Sequence, residues 1–183
     1  MNVRRIVPYV GACALGALVA SSALSHDDKN HDDRNRSGEL VRQVRESTAR
    51  FRDPAAAEAE GYHLLFGCVT GPDIGAMGLH YVNMSLVGDG ALDATRPEIV
   101  IYEPLPNGRL RLVGADFLVL AADWHAKHAA PPELEGQLMH LFESPNRFGL
   151  PAFYTLHVWA WKDNPTGMFV NWHAKVSCDS FDG

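Results

Sequence analysis

The chain has 183 residues, 46% hydrophobic and 21% charged, with a formal net charge of −6. That balance excludes a wholly disordered, collagen-like or low-complexity chain. With no Lys/Arg-rich run outside the termini, it also argues against a protein that grips a nucleic-acid backbone. The unusual count is nine histidines beside 16 lysines and arginines.

Residues 1–25 carry Arg4 and Arg5, an apolar run from Ile6 to Ala20, and then small residues. That order reads as a secretory signal peptide. The run falls short of the ~20 apolar residues of a membrane span, although a retained anchor is the alternative. Val10-Gly11-Ala12-Cys13 looks like a lipoprotein box, but the apolar run continues past Cys13. Removing 1–25 takes two basic and no acidic residues, so the net charge moves from −6 to −8. Two cysteines remain, Cys68 and Cys178. In an oxidising compartment such a pair most simply forms one disulfide; two thiolate metal ligands are disfavoured by the lack of close Cys/His spacing.

Residues 26–38, HDDKNHDDRNRSG, have no apolar anchor and are expected to form a flexible arm. Cleavage near Ala23 or Ser25 would bring His26, helped by His31, close to a free amine, a chelate that suits Cu(II) or Ni(II). Leu40, Val41, Val44, Thr48 and Phe51 then recur at helical intervals. Asp53-Pro54 restarts a helix, with Asp as N-cap and Pro at the first position, and Gly61 closes it.

Strands are expected from there on. Tyr62 to Thr70 is a continuous apolar run ending at Gly71-Pro72, and Gly78 to Val87 is a second strand. Glu98–Glu103 and Arg109–Leu120 flank PLPNG, whose Asn-Gly marks a hairpin. Glu133 to Phe142 reads as the start of a helix. Pro151–Lys162 and Met168–Cys178 read as a final hairpin. Helices first and hairpin-linked strands after predict an α+β fold for residues 39–183, with N-terminal helices on a curved antiparallel sheet.

Candidate chemistry concentrates in that last hairpin. Alternation puts Tyr154, Leu156, Val158 and Ala160 on one face, under the helices. The other face carries Phe153, Thr155, His157, Trp159 and Trp161, so Trp159 and Trp161 are candidates for the wall of a ligand pocket. His80 sits within Leu79-His80-Tyr81 on the face of Val82 and is expected to be buried. A buried neutral imidazole needs partners at both nitrogens, and a metal can be one of them. A core histidine bonded to backbone is the ordinary alternative. His140, just ahead of the final hairpin, is the third candidate ligand. Asp116 stands on an apolar register without a visible partner and could bond a histidine or act as a base of raised pKa. No GxSxG, HExxH, P-loop or GxGxxG occurs, and no nucleotide or flavin motif is visible.

Met77-Gly78-Leu79-His80-Tyr81-Val82-Asn83 and Leu156-His157-Val158-Trp159-Ala160-Trp161, followed by Asn164-Pro165-Thr166-Gly167, resemble a group of small secreted bacterial proteins of uncharacterised function. The resemblance spans the region from the first helix to Cys178 and implies a shared domain without an activity. The expectation is therefore a secreted or periplasmic protein with no stable membrane span after signal removal. It would bind Zn or Cu through His80, His140 and His157. The alternatives are a non-enzymatic module for a small apolar or aromatic ligand, and a metal-assisted hydrolase or oxidase with an open coordination position.

Overall fold

The computed structural model describes residues 24–183, with side chains from Arg36 onward; the signal-peptide expectation falls almost wholly outside them. Helix α1 (Leu24–Thr48) runs into a 3-10 turn (Ala49–Arg52). Its backbone includes the polar segment 26–38, where a flexible arm was expected. Extending a formed helix by one residue costs little once a packed turn has nucleated it. Among the residues whose side chains are described, burial in this helix begins at Leu40, followed by Val41 and Val44, with Phe51 in the turn beyond it. Asp53 caps α2 (Pro54–Ala59) by accepting from the Ala55 amide.

Six strands form one curled antiparallel sheet. They are β1 (His63–Gly71), β2 (Gly75–Val82), β3 (Ile99–Pro104), β4 (Leu110–Leu120), β7 (His140–Phe142) and β8 (Phe153–Val158), in the order β1-β2-β3-β4-β8-β7. A separate two-stranded hairpin joins β5 (Glu133–Leu134) to β6 (Gln137–Leu138). The α+β architecture expected from element order is present.

Three local expectations are corrected. The second strand ends at Val82, because Asn83 caps a short helix, α3 (Met84–Val87), accepting from the Ser85 and Leu86 amides. The helix expected from Glu133 gives way to β5, β6 and β7. Glu135 and Gly136 both take positive φ (47° and 78°), the requirement of a tight two-residue hairpin turn. The final hairpin does not form either. Both edges of β8 are taken, by β4 and by β7. The C-terminal segment instead crosses as irregular chain, held by Trp159 N donating to Met168 O and by a bridge between Ala76 and His173. Cys68 and Cys178 are disulfide-bonded (S–S 2.08 Å), tying that segment to β1.

Alternation divides the sheet into two faces. On one, Leu40, Val41 and Val44 pack on Ala115, Phe117, Val119, Tyr154, Leu156 and Val158. Phe51 and Tyr62 extend the same layer over Leu79, Tyr81, Val100 and Tyr102, with the Tyr102 hydroxyl donating to Phe51 O at 2.7 Å. The opposite face carries Ala76, Val82, Ile99, Ile101, Leu118, Phe153 and Trp159. Among the described residues no helix is long and apolar enough to cross a membrane.

Candidate metal centre

The second face holds three polar side chains in an otherwise apolar layer. Asp116 on β4 and His157 on β8 are directly paired across the two strands, which brings His157 Nδ1 to 3.5 Å from Asp116 Oδ1. His80 on β2 reaches them across β3, where Ile101 opposes it, and its ring lies 5.8 Å from that of His157. One candidate ligand atom from each of His80, Asp116 and His157 lies within 4.8 Å of the others, and all three residues are buried. Such a group could hold a metal ion.

Each member is held differently. His80 Nδ1 is 3.1 Å from Gly78 O, the arrangement in which that nitrogen carries the proton and Nε2 presents its lone pair. Gly78 takes φ 93°, and a Cβ there would meet Tyr102 O at 2.6 Å, so no other residue fits beside this histidine. Asp116 Oδ1 accepts from the Thr155 hydroxyl at 2.5 Å. Neither ring nitrogen of His157 makes a hydrogen bond of good geometry, although both are buried; Asp116 Oδ1 stands 3.5 Å from Nδ1, and the Asn171 side chain also bears on the ring. Leaving a buried polar atom unpaired costs about 1–3 kcal/mol. Such a ring in an apolar layer calls for an explanation, and a bound ion at one of its nitrogens is one.

Electrostatics suits a cation. Burial pushes the His80 imidazole down to about 4, with the neighbouring His157 adding to the fall, and pushes His157 down to about 3. Both rings are thus neutral at physiological pH, the form in which imidazole ligates metals. Burial raises the Asp116 carboxyl to about 6, against the opposing pull of His80 and of the Thr155 hydrogen bond. Two neutral imidazoles and a carboxylate are an N2O donor set.

The group forms the floor of a cavity walled by Phe66, Phe142, Phe148, Phe153, Ile99 and Leu150. Sequence reasoning singled out His80 and His157, and both are in the group. It flagged Asp116 for its odd register but found it no partner; the partner is His157, one strand away. His140 stands opposite Thr155 on β7 and is exposed, with Nδ1 3.3 Å from Asn171 Oδ1; it is not a member of the three-residue group. Trp159 is buried beside His157, its indole donating to Val170 O at 2.7 Å, outside the cavity wall. Trp161 follows the end of β8, where alternation stops. Its indole donates to Thr48 Oγ1 on the helix-covered side, under the Arg52 guanidinium. The phenylalanine wall had no sequence signal beyond Phe153, because Phe66, Phe142 and Phe148 arrive from β1, β7 and a loop.

Comparison of the chain with protein families, with curated proteins and with solved structures gave no match.

Proposed function

We propose that the protein binds one divalent transition-metal ion through His80 Nε2, one ring nitrogen of His157 and the Asp116 carboxylate. The observation that carries this reading is the convergence of three buried ligand atoms, from His80, Asp116 and His157, within 4.8 Å of one another. Imidazole donors suit zinc and copper, as the sequence suggested. The carboxylate moves the set toward zinc or ferrous iron, for which two histidines and one acid with free positions are a recurrent arrangement. Three protein ligands leave such an ion a position for water or another small molecule, where it would act as a Lewis acid or a redox centre. His140, on the same sheet face at the rim, is read as a residue that lines the approach and is bonded to Asn171. Residence outside the cytoplasm fits the Cys68–Cys178 disulfide and the signal-like leader. The resemblance to secreted proteins of the MGLHYVN type is compatible with it.

Elemental analysis of untagged protein purified from the periplasm tests the reading. The expected result is close to one equivalent of zinc or iron per chain, falling below a tenth of that in His157→Ala and His80→Ala. Stoichiometric metal retained by His157→Ala would overturn it.

A further inference from the structure

The pocket above the three ligands is small, apolar-walled and partly open at its rim. Its free volume is about 30 Å3, where one water needs roughly 10–15 Å3. Apart from the three ligands and the Thr155 hydroxyl, every lining side chain is apolar: Phe66, Met77, Ile99, Leu118, Phe142, Phe148, Leu150 and Phe153. The Thr155 proton is already given to Asp116 and His80 Nδ1 faces Gly78 O, which leaves a ring N–H of His157 as the one side-chain donor among the lining residues.

The phenyl rings make a joined wall. Phe142 stacks on Phe153 at 5.2 Å with planes 2° apart, and Phe148 meets both edge-on at 6.1 Å. Phe66 adjoins Phe148, ring centroids 5.6 Å apart, and stands 42% exposed at the rim. It reaches that rim from a bulge in β1, between Leu65 and Cys68, with φ 67°. A bulky residue in that left-handed region is strained, and here the strain aims the ring at the cavity.

Resting on the metal reading above, we infer that the open coordination position is restricted by this wall to ligands of one or two heavy atoms. The chemical class is that of dioxygen, peroxide, nitric oxide or hydroxide, and not a peptide, sugar or ester. Phe148, on the loop before β8, is the residue that sets this limit, because it contacts Phe66, Phe142 and Phe153 at once. Thinning it widens the cavity without touching a ligand.

The test loads the full mature chain anaerobically with ferrous iron, quantifies bound iron, and then adds nitric oxide or imidazole separately. Nitric oxide is a diatomic probe read by electron paramagnetic resonance. Imidazole is a good ligand of five ring atoms, read by its competition with nitric oxide. The expected result is a stoichiometric nitrosyl signal in the wild type that imidazole does not displace. In Phe148→Ala, imidazole should compete at least tenfold more effectively, with iron content unchanged. Iron retained with no nitrosyl signal, or imidazole competing equally in wild type and variant, would overturn the size limit and leave the metal reading standing. Protein that retains no iron or zinc overturns both. Phe148→Leu keeps most of the ring's volume and should behave as wild type, which separates the size effect from damage to the loop.

Discussion

The two faces of the same strand, β8, have opposite characters. Tyr154, Leu156 and Val158 meet the helix α1 stripe in a layer that is nearly all hydrocarbon. Phe153, Thr155 and His157, their alternating neighbours, face a cavity, and on that face the polar atoms are buried without being fully satisfied. The first face gains stability from every side chain it buries. The second gives some of it up, holding a buried histidine whose ring nitrogens make no hydrogen bond of good geometry. A sheet that sequesters one such face completely can tolerate the defect on the other. The contrast separates the scaffold from the site within six residues.

The sharpest way to break this contrast is to injure one face and read the other. Leu40 is fully buried against the helix-covered face, and Leu40→Ala should cost about 2–5 kcal/mol of folding stability. Its metal content per folded molecule should be unchanged, as thermal unfolding and elemental analysis together would show. A proportionate loss of metal would mean that the two faces are not separable.

His157→Leu should do the reverse. It abolishes metal binding, yet in the presence of chelator the variant should be more stable than wild type by about 1–3 kcal/mol, because two unpaired buried nitrogens are removed. Denaturant unfolding with chelator present measures this. A variant clearly less stable than chelated wild type would show that the ring has partners the structure does not reveal.

Thr155→Val removes the hydrogen bond that orients Asp116 and keeps the shape of the side chain. Losses of this kind typically weaken metal binding 10–100-fold. Competition against a chromogenic chelator should show a drop in that range with little change in folding. Unchanged affinity would demote Asp116 from the ligand set.

An effect that appears only as pH changes concerns Glu98, buried just ahead of β3, with Oε2 accepting from the Leu118 amide at 3.0 Å. Burial raises its carboxyl to about 8 against that bond, and the Asp116 and Asp89 carboxylates add to the rise; the Tyr62 hydroxyl, itself pushed up to about 12, stays neutral throughout. A folded-state value above the unfolded one means that the folded chain binds the extra proton. The contribution of Glu98 is therefore most favourable below about pH 4.5, and it declines as pH rises to about 8 and is flat beyond. Glu98→Gln should lessen that decline by on the order of 4 kcal/mol between pH 5 and 8.5. Thermal melts across that range would reveal identical slopes if Glu98 were ionised in the folded protein.

Much of the scaffold was legible in the residues. The 3–4 spacing from Leu40 to Phe51, the Asp53-Pro54 restart and Asn107-Gly108 each correspond to an element in place. Misreadings arose where a local rule met a competing one. Asn83 diverted an apolar run into a cap, Glu135-Gly136 turned a helical pattern into a hairpin, and β7 took the edge of β8 that Met168–Cys178 was expected to fill. For the site, burial and face were readable for His80 and His157, since period-two alternation decides both. Cross-strand register was not readable: nothing near Asp116 in the chain announces His157, 41 residues on. The choice of Asp116 as the group's third member depends on that register, whereas Trp161 changes side because β8 ends at Val158.

The central claim is that one ion sits among His80, Asp116 and His157. Anomalous diffraction from crystals of zinc-loaded protein, collected on both sides of the zinc absorption edge, addresses it directly. The account predicts a single strong peak about 2.0–2.2 Å from one nitrogen of each histidine and from an Asp116 oxygen. A peak elsewhere, for example at exposed His140 and Asn171, with only solvent among the three buried residues, would contradict it.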